Sequence, residues 1–123
     1  MLNISATKNS PSVSFDTKTG VLNIAGRSLI DNTNDFYKPI IDKITEYTGQ
    51  PQKETIVNIR IDYFNTTSSK YMYDLLCKLE TISKITDISI NWYYEKDDED
   101  IRDLGQHLQN LLDVPFNIIE VNG

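Results

Sequence analysis

From Val57 onward the apolar residues change their period at each element. Val57, Ile59, Ile61 and Tyr63 alternate with Asn58, Arg60 and Asp62. Met72, Leu75, Leu76 and Leu79 follow at helical spacing, and Ile88, Ile90, Trp92 and Tyr94 alternate again. Ile101, Leu104, Leu108 and Leu111 then return to the helical period. A period of two marks a strand with one buried face, and a period near 3.6 marks an amphipathic helix. Strands joined through helices pair parallel by right-handed crossovers. The strands alternate instead of being apolar throughout, so helices should cover mainly one face of the sheet and leave the other partly wet.

The first half extends the pattern. Ser12-Val13-Ser14-Phe15 and Val21-Leu22-Asn23-Ile24-Ala25 flank the turn residues Asp16 to Gly20 and predict a β-hairpin. Asp31-Asn32-Thr33-Asn34 offers caps for a helix whose face is Tyr37, Ile40, Ile44 and Tyr47. Pro39 has no N–H, so the regular helix should begin near it or kink there. Gly49-Gln50-Pro51 ends that element. Val114-Pro115 closes the last helix before a short strand over 116–121. The expected order is β-β-α-β-α-β-α-β: an α/β single-domain mixed sheet over residues 11–123, preceded by an irregular polar lead-in over residues 1–10.

At 123 residues the chain suits one domain with a real core. Its 12 Lys and Arg against 18 Asp and Glu leave a net charge of −6, which argues against nucleic acid or an anionic membrane as the main partner. No run is long enough for membrane insertion, and the N-terminus has no apolar signal core. A single cysteine, Cys77, forms no intrachain disulfide, so a cytoplasmic location is expected. Asn65-Thr66-Thr67 is a glycosylation sequon, which carries little weight without secretion.

Chemistry concentrates at Asn65-Thr66-Thr67-Ser68-Ser69-Lys70, between a strand and a helix. Helix N-termini expose unpaired N–H groups and a positive dipole end, a setting that suits an anion, including a phosphate on one of the hydroxyls. The plain reading is a helix cap. One cap needs one hydroxyl, however, and four stand in a row. A second cluster, Asp97-Asp98-Glu99-Asp100, opens the third helix. Carboxylates stabilise such a position through the dipole. A metal site would also need ligands from other elements, such as Asp62, and none is expected. Parallel strands deliver both clusters to one sheet edge, so the acidic run and an exposed Tyr93 could form a partner-binding surface with the hydroxyls. Enzyme signatures are absent: His107 is the only histidine, Cys77 lacks an electropositive setting, and no nucleotide loop or nucleophile elbow exists. No cofactor is expected.

Together with Ser12–Asp16, Gly20–Ser28, Phe36–Ile40, Tyr63–Thr66, Ser68–Lys70, Asn91–Tyr94, Asp97–Asp100 and Val114–Phe116, these residues resemble the SiaC family of bacterial regulatory phosphoproteins. The resemblance spans Pro11 to about Ile119. It implies a STAS-like fold and a partner-switching role. The resemblance further implies that a dedicated kinase phosphorylates a threonine after the third of the strands counted above and that a PP2C-type phosphatase restores it. It implies as well that the unmodified form binds a diguanylate cyclase and promotes cyclic di-GMP synthesis. The family's phosphothreonine falls on Thr66, with Thr67, where serine is commoner, as the alternative acceptor. Gly105-Gln106-His107 replaces a more acidic stretch. Other functions compatible with this pattern are a STAS-like anti-sigma-factor antagonist and an unmodified scaffolding module.

Overall fold

A computed structural model describes residues 1–30 and 32–121. Its elements are β1 (Leu2–Ile4), β2 (Ser12–Asp16), β3 (Val21–Ser28), α1 (Thr33–Thr48), β4 (Glu54–Phe64), α2 (Thr66–Glu80), β5 (Asp87–Glu95), α3 (Glu99–Leu111) and β6 (Phe116–Val121). The six strands lie in chain order. β1, β2 and β3 pair antiparallel, and β3 to β6 pair parallel. The mixed α/β domain expected from the periodicities is therefore present. Residues 1–10 depart from the expected irregular lead-in, because Leu2–Ile4 adds an edge strand to β2. Three residues are too few to display a period.

The hairpin closes where Gly20 takes φ 76° and its N–H donates to the Asp16 carbonyl at 2.8 Å. Any side chain there would collide with the Glu54 carbonyl at the start of β4. α1 starts six residues before Pro39 and includes it. Asn32 caps it by accepting from the Asp35 N–H, while Asp31 lies outside the described residues.

Because the strands follow chain order and the crossovers keep one hand, all three helices fall on one face. Tyr37, Ile40, Ile44, Met72, Leu75, Leu76, Leu79, Ile101 and Leu108 bury against Val13, Phe15, Leu22, Ile24, Val57, Ile59, Ile61, Ile90 and Trp92. The opposite face carries a row of asparagines in register, Asn23, Asn58, Asn91 and Asn117. The Asn58, Asn91 and Asn117 amides each donate to the side-chain oxygen of the preceding asparagine, at 2.9, 2.9 and 3.1 Å, across four strands. This ladder satisfies polar side chains on a face that no helix covers.

Two residues depart from the simple alternation. Pairing steps from Gly26↔Ile61 to Arg27↔Tyr63, so β4 spends one extra residue, Asp62, and its parity inverts. Tyr63 turns outward and is 53% exposed, and Phe64 takes the inward position, stacking on Trp92 at 5.9 Å. At the end of α3, Leu112 is buried and Leu111 is 50% exposed.

Trp92 fixes how closely α3 approaches the sheet. Its indole N–H donates to the Ile101 carbonyl at 2.9 Å, and a Cβ on Gly105 would lie 2.5 Å from the indole ring. Gly105→Ala should therefore overpack this contact and cost about 1–3 kcal/mol. Urea unfolding checks this; an unchanged midpoint would contradict the packing.

Candidate functional site

β4 and β5 run parallel, so the starts of α2 and α3 share one sheet edge. At the start of α2 the cap is an amide and not a hydroxyl. Asn65 Oδ1 accepts from the Ser68 N–H at 2.9 Å. Its backbone carbonyl accepts from the Ser69 N–H at 3.1 Å, and its own N–H donates to the Ser28 carbonyl at 3.1 Å. Its Nδ2 donates to the Ile30 carbonyl at 3.2 Å. One residue thus caps α2 and ties it to the chain leaving β3.

The four hydroxyls consequently have separate fates. Thr66 and Thr67, the first two helical residues, are exposed. Their N–H groups precede the first possible intrahelical acceptor and face outward. Ser69 Oγ donates to the Thr66 carbonyl at 2.8 Å. Ser68 is fully buried, so its hydroxyl does not face solvent. It lies close enough to Tyr37 to act on that phenol but completes no hydrogen bond of good geometry. The Tyr37 hydroxyl shares a 2.7 Å hydrogen bond with Ser28 Oγ. Burial pushes the Tyr37 phenol above its ordinary value, opposed in part by the Ser28 and Ser68 hydroxyls. Tyr37 also stacks on Tyr71 at 5.7 Å and 8°, joining α1 to α2.

Thr66 opens onto a groove of about 310 Å³ between α2 and α3, which Ser69, Lys70, Tyr73, Leu104, His107, Leu108 and Leu111 also line. The sequence pattern makes His107 a surface histidine and sets Leu111 on the packed face of its helix. Both lie on the groove. The readable signal was the stripe Leu104, Leu108 and Leu111, one residue of which the core did not need.

The acidic run occupies the neighbouring helix start. Asp98 caps α3 by accepting from the Ile101 N–H at 3.1 Å, and Asp97, Glu99 and Asp100 are exposed. These residues share the edge with Thr66 but line a separate depression with Glu95 and Lys96. Tyr93 is half-buried on the asparagine face beside Ala25, Arg60 and Val121, so the sheet separates it from the hydroxyls. Among the described residues, no group of three or more His, Cys, Asp or Glu side chains converges as a metal site. No described helix is long and apolar enough to cross a membrane.

The sequence pattern of the SiaC family regulatory phosphoproteins matches residues 4–121. The chain belongs to this family. A Pseudomonas aeruginosa protein from strain UCBPP-PA14 is 27% identical over 118 residues, covering 95% of this chain and 94% of its own length. Among solved structures, that of the diguanylate cyclase SiaD in complex with its activator SiaC from Pseudomonas aeruginosa matches at a TM-score of 0.91 and 26% identity, covering 98% of this chain and 100% of the matched one. Apo-SiaC from the same organism matches at 0.87 and 27% identity over 96% and 97% of the two chains. This SiaC-family chain therefore shares the architecture of these proteins from end to end.

Asn65→Ala should cost about 1–2 kcal/mol, because it removes a cap and frees the Ile30 carbonyl. Ser68→Ala should be close to neutral, since it removes a buried hydroxyl without a well-formed bond. Urea unfolding compares the two variants, and equal losses would contradict the division of roles. Tyr37 gives a pH signature. Its folded-state value lies above the ordinary tyrosine value, so its contribution is whole below about pH 10 and is lost as pH rises through the folded value. Tyr37→Phe should flatten that alkaline loss, measured as unfolding free energy between pH 9 and 11, about the range where an unfolded tyrosine titrates.

Proposed function

We propose that this protein is a non-catalytic, cytoplasmic regulator that binds and activates a diguanylate cyclase in its unmodified form and is switched by phosphorylation of Thr66. The observation that carries the reading is the division of labour at α2. Asn65 does the capping, which leaves Thr66 exposed at the head of the helix with no structural task for its hydroxyl. Membership in a family of regulatory phosphoproteins and likeness to SiaC, the activator of the cyclase SiaD, support both halves of the proposal.

A dedicated Ser/Thr kinase would transfer the γ-phosphoryl of a nucleoside triphosphate to Thr66 Oγ1. The hydroxyl proton would leave to a base of the kinase, and the nucleoside diphosphate would depart. A PP2C-type phosphatase would hydrolyse the ester and return the hydroxyl. The product carries about −1.5 to −2 charges and three strong acceptor oxygens. Asn65, Thr67, Ser69 and Lys70 border that group, and Asp97 and Asp98 stand on the same edge, so a partner docked there meets a large change in potential. Thr67 is the alternative acceptor, since it is equally exposed at the next helical position.

Incubation with the cognate kinase, followed by phosphosite mapping and cyclase binding by both forms, tests the proposal. Phosphate is expected on Thr66, with affinity reduced by about tenfold or more, equivalent to about 1.4 kcal/mol. Thr66→Ala should stay within about 0.5 kcal/mol of the parent stability, retain binding and lose the modification. Thr66→Asp should weaken binding only partly, because it supplies one charge. Phosphate on Ser69, or equal affinity of the two forms, sinks the reading.

A further inference from the structure

The groove beside Thr66 differs in charge from the rest of the chain. The protein carries −6 overall, yet the charged or titratable side chains lining this groove are Lys70 and Tyr73 from α2 and His107 from α3, and no carboxylate lines it. Lys70 stands four residues after Thr66, which places both on one face of α2. It is exposed and forms no ion pair among the described residues. His107 is exposed on the opposite bank. On α3, the carboxylate of Asp103, one turn before His107, is paired at 3.3 Å with Arg102 and does not line the groove.

We infer that this groove is an intramolecular clamp for the phosphoryl group on Thr66, with the Lys70 ammonium on one bank and the His107 imidazole on the other. The inference rests on the modification proposed above. The unpaired N–H groups of Thr66 and Thr67 complete the positive setting at the helix start. In the modified form the phosphate holds α2 to α3 across the groove. The apolar banks of Leu104, Leu108 and half-exposed Leu111 are then bridged and no longer freely open. Modification thus alters the shape offered to a partner as well as its charge.

The test uses the full chain with phosphothreonine genetically encoded at position 66, so that it does not depend on any kinase. The second ionisation of the phosphate is followed by 31P NMR in the parent, Lys70→Gln, His107→Gln and, as a control at the far sheet edge, Lys84→Gln. Nearby cations favour the dianion, so the parent midpoint should lie below the usual value near 6, and each groove variant should raise it by about half a pH unit. Lys84→Gln should leave it unchanged. All three substituted positions are exposed, and unfolding curves confirm that each variant is folded. A midpoint moved by Lys70→Gln alone, or by neither groove variant, overturns the clamp. Kinase modification of some other residue would sink the preceding proposal while leaving this titration interpretable.

Discussion

Right-handed crossovers between neighbouring parallel strands set the layout of this domain. β3 to β6 follow chain order, so each helix must cross on the same side as the last. One sheet face receives three helices and the other receives none. The same handedness brings the starts of α2 and α3 to one edge, where their unpaired N–H groups face outward. A sheet edge carrying two outward-facing helix N-termini is thus a consequence of topology, before any particular side chain is considered.

The two faces solve opposite problems. On the covered face, close packing decides detail: Trp92 reaches the Ile101 carbonyl, Phe64 and Phe116 pack against its indole, and Gly105 leaves room for the ring. On the uncovered face, Asn23, Asn58, Asn91 and Asn117 bond to one another across the strands. The register of the parallel strands sets these four asparagines at one level, which permits a single polar residue type to repeat as a continuous ladder.

Structural duties at the head of α2 are divided residue by residue. Asn65 caps the helix through its side-chain oxygen, and its backbone N–H and side-chain Nδ2 hold that start to the Ser28 and Ile30 carbonyls. Ser68 turns inward toward Tyr37. Thr66 and Thr67 are left over, exposed and free of tertiary duty. A modification there need not break the contacts that hold the fold, which is what a reversible switch requires.

The sequence by itself determined the elements that have a long, regular period: the three helices whose faces are carried by Tyr37 to Tyr47, Met72 to Leu79 and Ile101 to Leu111, and the strands between them, although not that the first helix runs through Pro39. It also located the hydroxyl cluster at a helix start and carried the family resemblance, because turn chemistry and capping act over a few adjacent residues. Tertiary structure decided the rest. Leu2–Ile4 is a strand only because β2 offers it an edge. Tyr63 faces outward because β4 accommodates one extra residue against β3. Asn65, rather than a neighbouring hydroxyl, is the cap because the Ile30 carbonyl and the Ser28 backbone lie within its reach. Thr66, Lys70 and His107 share a groove because α2 and α3 lie side by side on one face. Each of these outcomes depends on residues distant in the chain, and a local period carries no information about which distant group will fill the space beside it.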